Sequence, residues 1–519
     1  MNLITRAISW VSPGWAARRL RSQLQFNAYE AAMPSRTRVA RKESRGANTA
    51  VFAAGASLRE QARWLDENHD LAIGILDKLE ERVVGARGIQ VEPQPLTFDG
   101  KVHEEFAATL SALWEKWAES PDVTGLYTLA EAERLALRSA LRDGEVFIQL
   151  INGHSPGLVH STPVPFSFQM LEADYVPFSK NSADYSNTTV QGVDLNAWGR
   201  PLGYHVYRHH PQSGLGTTQT VRLPAERVLH LAIRKRLHQV RGVSLFHGIL
   251  SRLGEVKEYE DSELVTARIA ASLGFWIKRG DASIWDDGGK DHEKPDNENR
   301  LFEMAPGMIY DGLAPGEELQ MLESGRPNSR MADFRNGQLR AVAAGTRTGY
   351  SSISRDYNGT YSAQRQELVE SFEGFAVLQD WFVARVARPL YRSWIQMLKL
   401  SGIEIPPDVD PDSLFDAIYM APVMPWIDPQ KESEAWKTQI RGGTATEAEW
   451  VRARGASPRA IKKQRMREIE FNRRHGLVFD TDPASDNGDK NAEQSPPSRS
   501  GKKSSDDPAD GKRTGEADE

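Results

Sequence analysis

The chain has 519 residues with 65 Lys+Arg against 71 Asp+Glu, a formal net charge of −6. It is therefore not a globally basic nucleic-acid binder, although a chain of this length has room for roughly two to four domains with separate charge. It contains no cysteine, which excludes disulfides, zinc ribbons and thiol catalysis. No apolar run approaches the ~20 residues of a membrane-spanning helix. The N-terminus, MNLITRAISWVSPGWAARRL, lacks the apolar stretch of a secretory signal. These features predict a soluble protein made in a cytoplasm, with no membrane partner.

In chain order, the first element is a basic arm. Arg6, Arg18, Arg19, Arg21, Arg36, Arg38, Arg41, Lys42 and Arg45 stand against Glu30 and Glu43, a local net of 9 − 2 = +7 over residues 1–48. Such an arm suits phosphates or an acidic partner surface, or is simply a solvated terminus. Residues 49–245 have the pattern of an α+β body. Helical periodicity predicts one helix over Ser57–Val84, ended by Gly85 and Gly88, then helices over 103–120 and Leu129–Leu141. Strands are predicted over Glu145–Ile151, Phe166–Glu172, Gly203–Arg208 and Arg227–Ala232, separated by Pro, Gly, Asn and Ser turns.

Residues 246–279 carry the periodicity of one long helix, with Ser244 and Gly274 as its caps. Its middle is acidic: Glu255, Glu258, Glu260, Asp261 and Glu263. An acidic, turn-rich stretch follows over 280–325, with Asp286, Asp287, Asp291, Glu293, Asp296 and Glu298; it predicts a small β-rich insertion. A helix over 326–344 leads into a polar loop at 345–361 that is rich in Arg and Tyr. A further helix uses Leu368, Phe372, Phe375, Leu378, Phe382 and Val386; Pro389 should kink it and Gly402 stop it. Residues 428–475 predict charged helices anchored by Trp436 and Trp450. Beyond Thr481 there is no Val, Ile, Leu, Met or aromatic residue, so 481–519 is expected to be disordered.

Three patterns invite a chemical reading. Gly153-His154-Ser155-Pro156-Gly157 matches G-x-S-x-G, the nucleophile elbow of a serine hydrolase, which would use Ser155. The elbow requires a helix directly after the serine, and Pro156 and GLVHSTPVP do not supply one, so a hairpin turn is the plainer expectation. No phosphate-binding G-x-x-x-x-G-K-S/T exists; Gly288-Gly289-Lys290 is followed by Asp291, which repels phosphate. His205, His209 and His210 lie in strand-like YHVYRHH, where i, i+4 spacing separates two histidines too far to chelate easily. The acidic residues of 286–298 lack the glycine and terminal glutamate of an EF-hand. No cofactor or metal is expected, and the chain is not expected to be an enzyme.

Several stretches resemble the portal proteins of tailed bacteriophages, lambda-like family. They are ALRSALRDGEVFIQL (136–150), GRPLGYHVYRHHP (199–211), RLPAERVLHLAIRKRLHQVRGVSLF (222–246), EYEDSELVTARIAAS (258–272), RPNSRMADFRNGQLRAVAAG (326–345), DYNGTYSAQR (356–365) and DPQKESEAWKTQIRGGTATEAEWVRARGASP (428–458). Their order and spacing carry the match more than any one stretch. The resemblance implies a predominantly helical α+β portal fold: wing (49–245), long-helix stem (246–279 and 326–344), small β-rich clip (280–325), tunnel loop (345–361), kinked helix and crown (362–480) and a disordered tail. It implies a dodecameric ring of self-associated subunits at one capsid vertex, assembled in the host cytoplasm and retained in the virion. Double-stranded DNA would pass through it non-specifically. The terminase large subunit and a head–tail adaptor would dock at the clip through Asp286, Asp287, Asp291 and Glu293. Major capsid or scaffold protein would surround the ring. Arg347, Tyr350, Arg355, Tyr357 and Tyr361 would face the DNA backbone, and the acidic residues 255–263 would line the stem lumen.

Overall fold

The computed structural model describes residues 14–15, 44–183, 188–213, 219–271, 275–279, 317–321, 331–425 and 428–479. Most of the basic arm, Asp286, Asp287, Asp291, Asp296, Glu293, Glu298 and the tail from 480 lie outside them. The chain divides into two units, residues 1–435 and 436–519.

The first unit opens with α1 (Ala47–Asn68) and α2 (Asp70–Val83). One continuous helix over 57–84 was the sequence expectation. The break falls at His69, which is extended (φ −123°, ψ 112°) and buried. Its Nε2 lies 3.1 Å from the Leu253 carbonyl, and the Asp70 carboxylate accepts the Leu71 amide at 2.8 Å. A distant backbone group therefore fixes the bend. Gly85 and Gly88 take left-handed φ values of 75° and 71° and lead into β1 (Gln90–Pro93). Helices α3 (Glu104–Ala118) and α4 (Leu129–Asp143) follow, α4 opened by a Thr128–Glu131 capping box.

Strands β2 (Glu145–Asn152) and β3 (Phe166–Leu171) form an antiparallel hairpin. Next come β4 (Ser182–Ala183), β5 (Thr188–Val190), β6 (Val193–Leu195), β7 (Pro201–Tyr207) and β8 (Thr220–Pro224), a five-stranded antiparallel meander. The short strands β4–β6 and β8 carry too little alternation to be foreseen. β9 (Val228–Ala232) then returns to the far side of β2, giving the order β3-β2-β9.

Ser244 caps a 3-10 turn at Leu245–Gly248 rather than the helix itself. Helix α5 (Leu250–Ala271) is shorter than the expected 246–279. Phe275–Arg279 is a strand, β10, paired antiparallel with β11 (Glu317–Met321). Its residue types, Phe-Trp-Ile-Lys-Arg, favour a pleated strand once a partner exists, and that partner lies some forty residues downstream. Gly274, the expected cap, is outside the described residues. Helix α6 (Met331–Thr346) runs antiparallel to α5: Arg252 meets Gln338, Tyr259 meets Phe334 and Glu260 pairs with Arg335.

After the short α7 (Tyr350–Ser354) comes α8 (Tyr361–Phe382), continued through a π-turn at Val383–Ala387 into α9 (Arg388–Leu400). Pro389 lacks an N–H and crowds the carbonyl one turn earlier; the wide π-turn absorbs both effects, so the helix goes on. It stops before Gly402, which has φ 77°. β12 (Ala417–Met420) pairs with β1, Gln90 opposite Met420. Helix α10 (Pro429–Arg441) crosses the boundary between the units. The second unit holds α11 (Glu447–Ala453), capped by a Thr446–Glu449 box, and α12 (Pro458–His475), capped by Ser457. Trp436 and Trp450 are half-buried.

The core of the first unit joins distant segments. Trp114 on α3 meets Trp394 and Tyr391 on α9 at ring separations of 5.3 and 5.5 Å. Trp117 stacks on Phe166 and donates its indole N–H to the Phe166 carbonyl at 2.9 Å. Beside this apolar core lies a buried ionic one. Glu145 has no exposed side-chain surface; it receives Arg241 at 2.7 Å, the Gly242 amide at 2.8 Å, His230 at 3.0 Å and Arg59 at 3.4 Å. Burial opposes its ionisation, but Arg241 and His230 outweigh burial and hold its carboxyl well below the usual range. Arg241 donates from Nε to Glu145 and from its two terminal nitrogens to the carbonyls of Val176, Gln191 and Ala173, with Nη2 also 2.7 Å from the Glu145 carboxylate.

Replacing Arg241 by Met would take from Glu145 its nearest counter-charge and leave three carbonyls without their donor. We expect a loss of roughly 3–5 kcal/mol, read from the denaturant midpoint of purified protein. Glu133 on α4 is a second buried carboxyl, accepting the Ile89 amide at 2.8 Å. Burial pushes it up to about 8. A raised carboxyl stabilises the fold most at low pH, and that contribution falls as pH rises from the unfolded value near 4.5 to about 8. Glu133→Gln should therefore gain stability relative to the parent progressively over this window and no further above it, measured as paired melting temperatures against pH.

Candidate functional site

The segment expected as an uninterrupted loop, 345–361, is partly helical: α6 runs on to Thr346 and α7 occupies its middle. Thr346 is buried, its hydroxyl shared between the Val342 carbonyl at 3.0 Å and Thr348 Oγ1 at 2.7 Å. Arg347, just beyond α6, has φ 59°, and Arg355, at the end of α7, has φ 56°. Both sit where a helix commonly ends in glycine. A β-carbon is disfavoured there, so arginine is retained against local preference.

The five residues singled out in sequence do not behave alike. Arg347 and Arg355 are exposed, as are Tyr357 and Tyr361, at 59% and 61%. Tyr350 instead packs half-buried against the core. Arg340 covers its ring at 5.2 Å and its hydroxyl donates to Asp356 at 3.3 Å. Asp356 also accepts the Asn358 amide at 3.1 Å, closing a tight turn. Tyr357 and Tyr361 line a groove with Lys78 and Arg82 of α2 and Arg365 of α8. Those three cations were not foreseen: helix periodicity marks them only as solvent-side residues, and Lys78 lies far from the loop in sequence. Glu367 of α8 also lines the groove and accepts two hydrogen bonds from Ser351, from its amide at 2.9 Å and its hydroxyl at 2.8 Å.

The acidic residues of α5 divide similarly. Glu255, Glu258 and Asp261 are exposed. Glu260 is half-buried and paired with Arg335, and Glu263 is buried. Leu264 and Val265 beside them are about half exposed, at 49% and 51%.

The chemical alternatives find no geometry. Gly153 and Gly157 take left-handed φ values of 81° and 80°, and the chain around Ser155 is the turn joining β2 to β3 with no helix after it. That is a hairpin connection, not an elbow. His205 Nε2 donates to the Asp194 carboxylate at 2.9 Å. Among the described residues Glu172, Asp174 and His210 come close enough to share an ion. Asp174, however, is already bound by Arg59 at 3.0 Å and Arg63 at 2.5 Å, and two guanidiniums repel a cation. No helix among the described residues is long and apolar enough to cross a membrane.

Residues 34–379 match the family model described as phage portal protein, lambda family. The chain is 24% identical over 446 residues to the probable portal protein of Halomonas phage phiHAP-1, covering 84% of each. It is 22% identical over 404 residues to portal protein B of Escherichia phage lambda, covering 72% of this chain and 75% of that one. Among solved structures, a chain in "Neck of native GTA particle computed with C12 symmetry" is similar at 13% identity and TM-score 0.43, covering 78% of this chain and 94% of that one. The family match spans well over half of the sequence, from the end of the basic arm through α6, the arginine–tyrosine segment and most of α8, and the chain belongs to the lambda family of phage portal proteins.

Proposed function

We propose that copies of this protein form a dodecameric ring at one vertex of a phage-type capsid, the conduit for DNA packaging and ejection. The protein is structural, not an enzyme; ATP hydrolysis belongs to a terminase large subunit that docks on it, and a head–tail adaptor later takes that place. The reading rests on the family membership together with one arrangement. The antiparallel pair α5–α6 has a strand hairpin beyond one end and the arginine–tyrosine segment at the other. In this reading the pair is the stem, the hairpin the root of the clip, residues 49–245 the wing, and the segment 345–361 the tunnel loop. Major capsid or scaffold protein surrounds the ring, which is built in the host cytoplasm and kept in the virion.

A ring needs a heterologous contact whose rotation closes. Leu264 and Val265 supply apolar surface on the stem that the isolated chain leaves half exposed, and a neighbouring stem would cover it. Glu255, Glu258 and Asp261 would then remain for the lumen, where repulsion of phosphate keeps DNA sliding, since each phosphate neutralised adds affinity and drag. Clip docking through Asp286, Asp287, Asp291 and Glu293 belongs to the same proposal. At the loop, Arg347, Arg355, Tyr357 and Tyr361 offer contacts to the DNA backbone rather than to base edges; Tyr350 serves from beneath.

Mass photometry of the purified protein should give particles near twelve chains, with a central hole in negative stain. Leu264→Asp with Val265→Asp should shift the population to small species while the circular dichroism spectrum is retained; a monomer under every condition in the parent protein counts against the ring. Arg347→Ala with Arg355→Ala should leave the ring mass unchanged and reduce packaged DNA length or its retention in particles. Unaltered packaging and infectivity would remove the loop from the DNA path.

A further inference from the structure

We infer that Glu367 is the positioning residue that latches the loop in a docked state, resting on the reading of this loop as the one DNA passes. The evidence is local and geometric. Helix α7 has only five residues, too few to hold itself in water. Its first turn is tied to α8 by one carboxylate: Glu367 Oε1 receives the Ser351 amide and Oε2 its hydroxyl. The amide is one of the donors that a helix leaves unpaired at its start. The neighbouring Gly349 is shaped around this contact. A β-carbon there would stand 2.5 Å from Glu367 Oε1 and 3.1 Å from its Cδ, so any side chain at 349 drives the carboxylate away. Gly349 has an ordinary φ of −74°; the need for glycine is the approach of Glu367, not the backbone angle.

The latch sits between the two strained arginines. Arg347 precedes Gly349 and Arg355 ends α7, both left-handed. Their conformations hold only while the segment between them is pinned. Other contacts secure Tyr350 from the α6 side, through Arg340, and close the turn at Asp356. Among the described residues, the side-chain hydrogen bonds that tie α7 to α8 run from Ser351 to Glu367. With the latch closed, Arg347 and Arg355 stand at the two ends of a docked helix. With it open, α7 keeps the core packing of Tyr350 and Ile353 and the turn at Asp356 but loses the tie of its first turn to α8, and Arg355 and Tyr357 are freed to shift with it. A passing duplex would then meet a loop with two positions, set by one carboxylate.

Hydrogen exchange read by mass spectrometry on the full-length protein tests this, with variants compared in the same assembly state. In Glu367→Ala and in Gly349→Ala, amides 350–356 should exchange about tenfold faster or more, the scale of losing hydrogen bonds to a charged acceptor. Glu367→Gln keeps an acceptor for the amide and a partner for the hydroxyl, and should stay near the parent. Exchange across 361–382 should not change in any of them. Unchanged loop exchange in Glu367→Ala overturns the latch. So does acceleration spreading through α8, which would make Glu367 a packing residue, or failure of Gln to restore protection. DNA retention in particles carrying Arg347→Ala and Arg355→Ala separates the two readings: normal retention removes the DNA contact and leaves the latch standing, whereas a loop that exchanges normally without Glu367 removes the latch alone.

Discussion

The fold depends on one buried ion pair. Glu145 begins β2 directly after Gly144 ends α4, and Arg241 comes from the loop after β9; their fully buried carboxylate and guanidinium meet at 2.7 Å. Gly144 and Gly242 make the approach possible, since a β-carbon on Gly242 would lie 2.0 Å from the Gly144 carbonyl. Around the pair gather α1 through Arg59, β9 through His230, the 173–176 turn through Ala173 and Val176, and the meander through Gln191. Phe178 closes it, its ring 4.3 Å from the guanidinium carbon of Arg241. Desolvating two charges is expensive, and only complete pairing makes it tolerable. The partners come from two sheets and a helix, so losing either charge would leave polar groups on all three unpaired.

The other half of the first unit is organised by the joined helix α8–α9. Its α9 end packs Tyr391 and Trp394 against Trp114, and its α8 end carries Tyr361, Arg365 and Glu367 beside the loop. The π-turn at 383–387 lies between these regions. An arginine segment that would otherwise be a free tether is thus referred to the aromatic core through a continuous helix, and Glu367 is where that reference is made.

Much of this was legible in the sequence where one segment decides its own fate. Helices α3, α4, α6 and α8 follow from periodicity and capping residues, and the β2–β3 hairpin follows from apolar runs around glycine and proline. The family resemblance rested on ordered stretches, which the family match over 34–379 covers except for 428–458. What escaped notice depends on partners far away in the chain. The break at His69 is set by a carbonyl at Leu253. The end of α5 is set by pairing of Phe275 with Met321 across the insertion. The basic groove under the loop needs Lys78 and Arg82 beside Tyr357 and Tyr361. Helix α7 is too short for a period to reveal, and the value of Glu367 lies in its distance from Ser351, which a linear pattern does not contain.

The pairing of β1 with β12 has a consequence for synthesis. Gln90 waits for Met420, and Trp114 waits for Trp394; both contacts join the first quarter of the chain to a segment made much later. Contacts of such long separation form late and only after a large loop has closed. A nascent chain that has been made only as far as α7 therefore lacks the strand and the tryptophan that complete its core. The core of the first unit is complete only after the chain has been translated past residue 420.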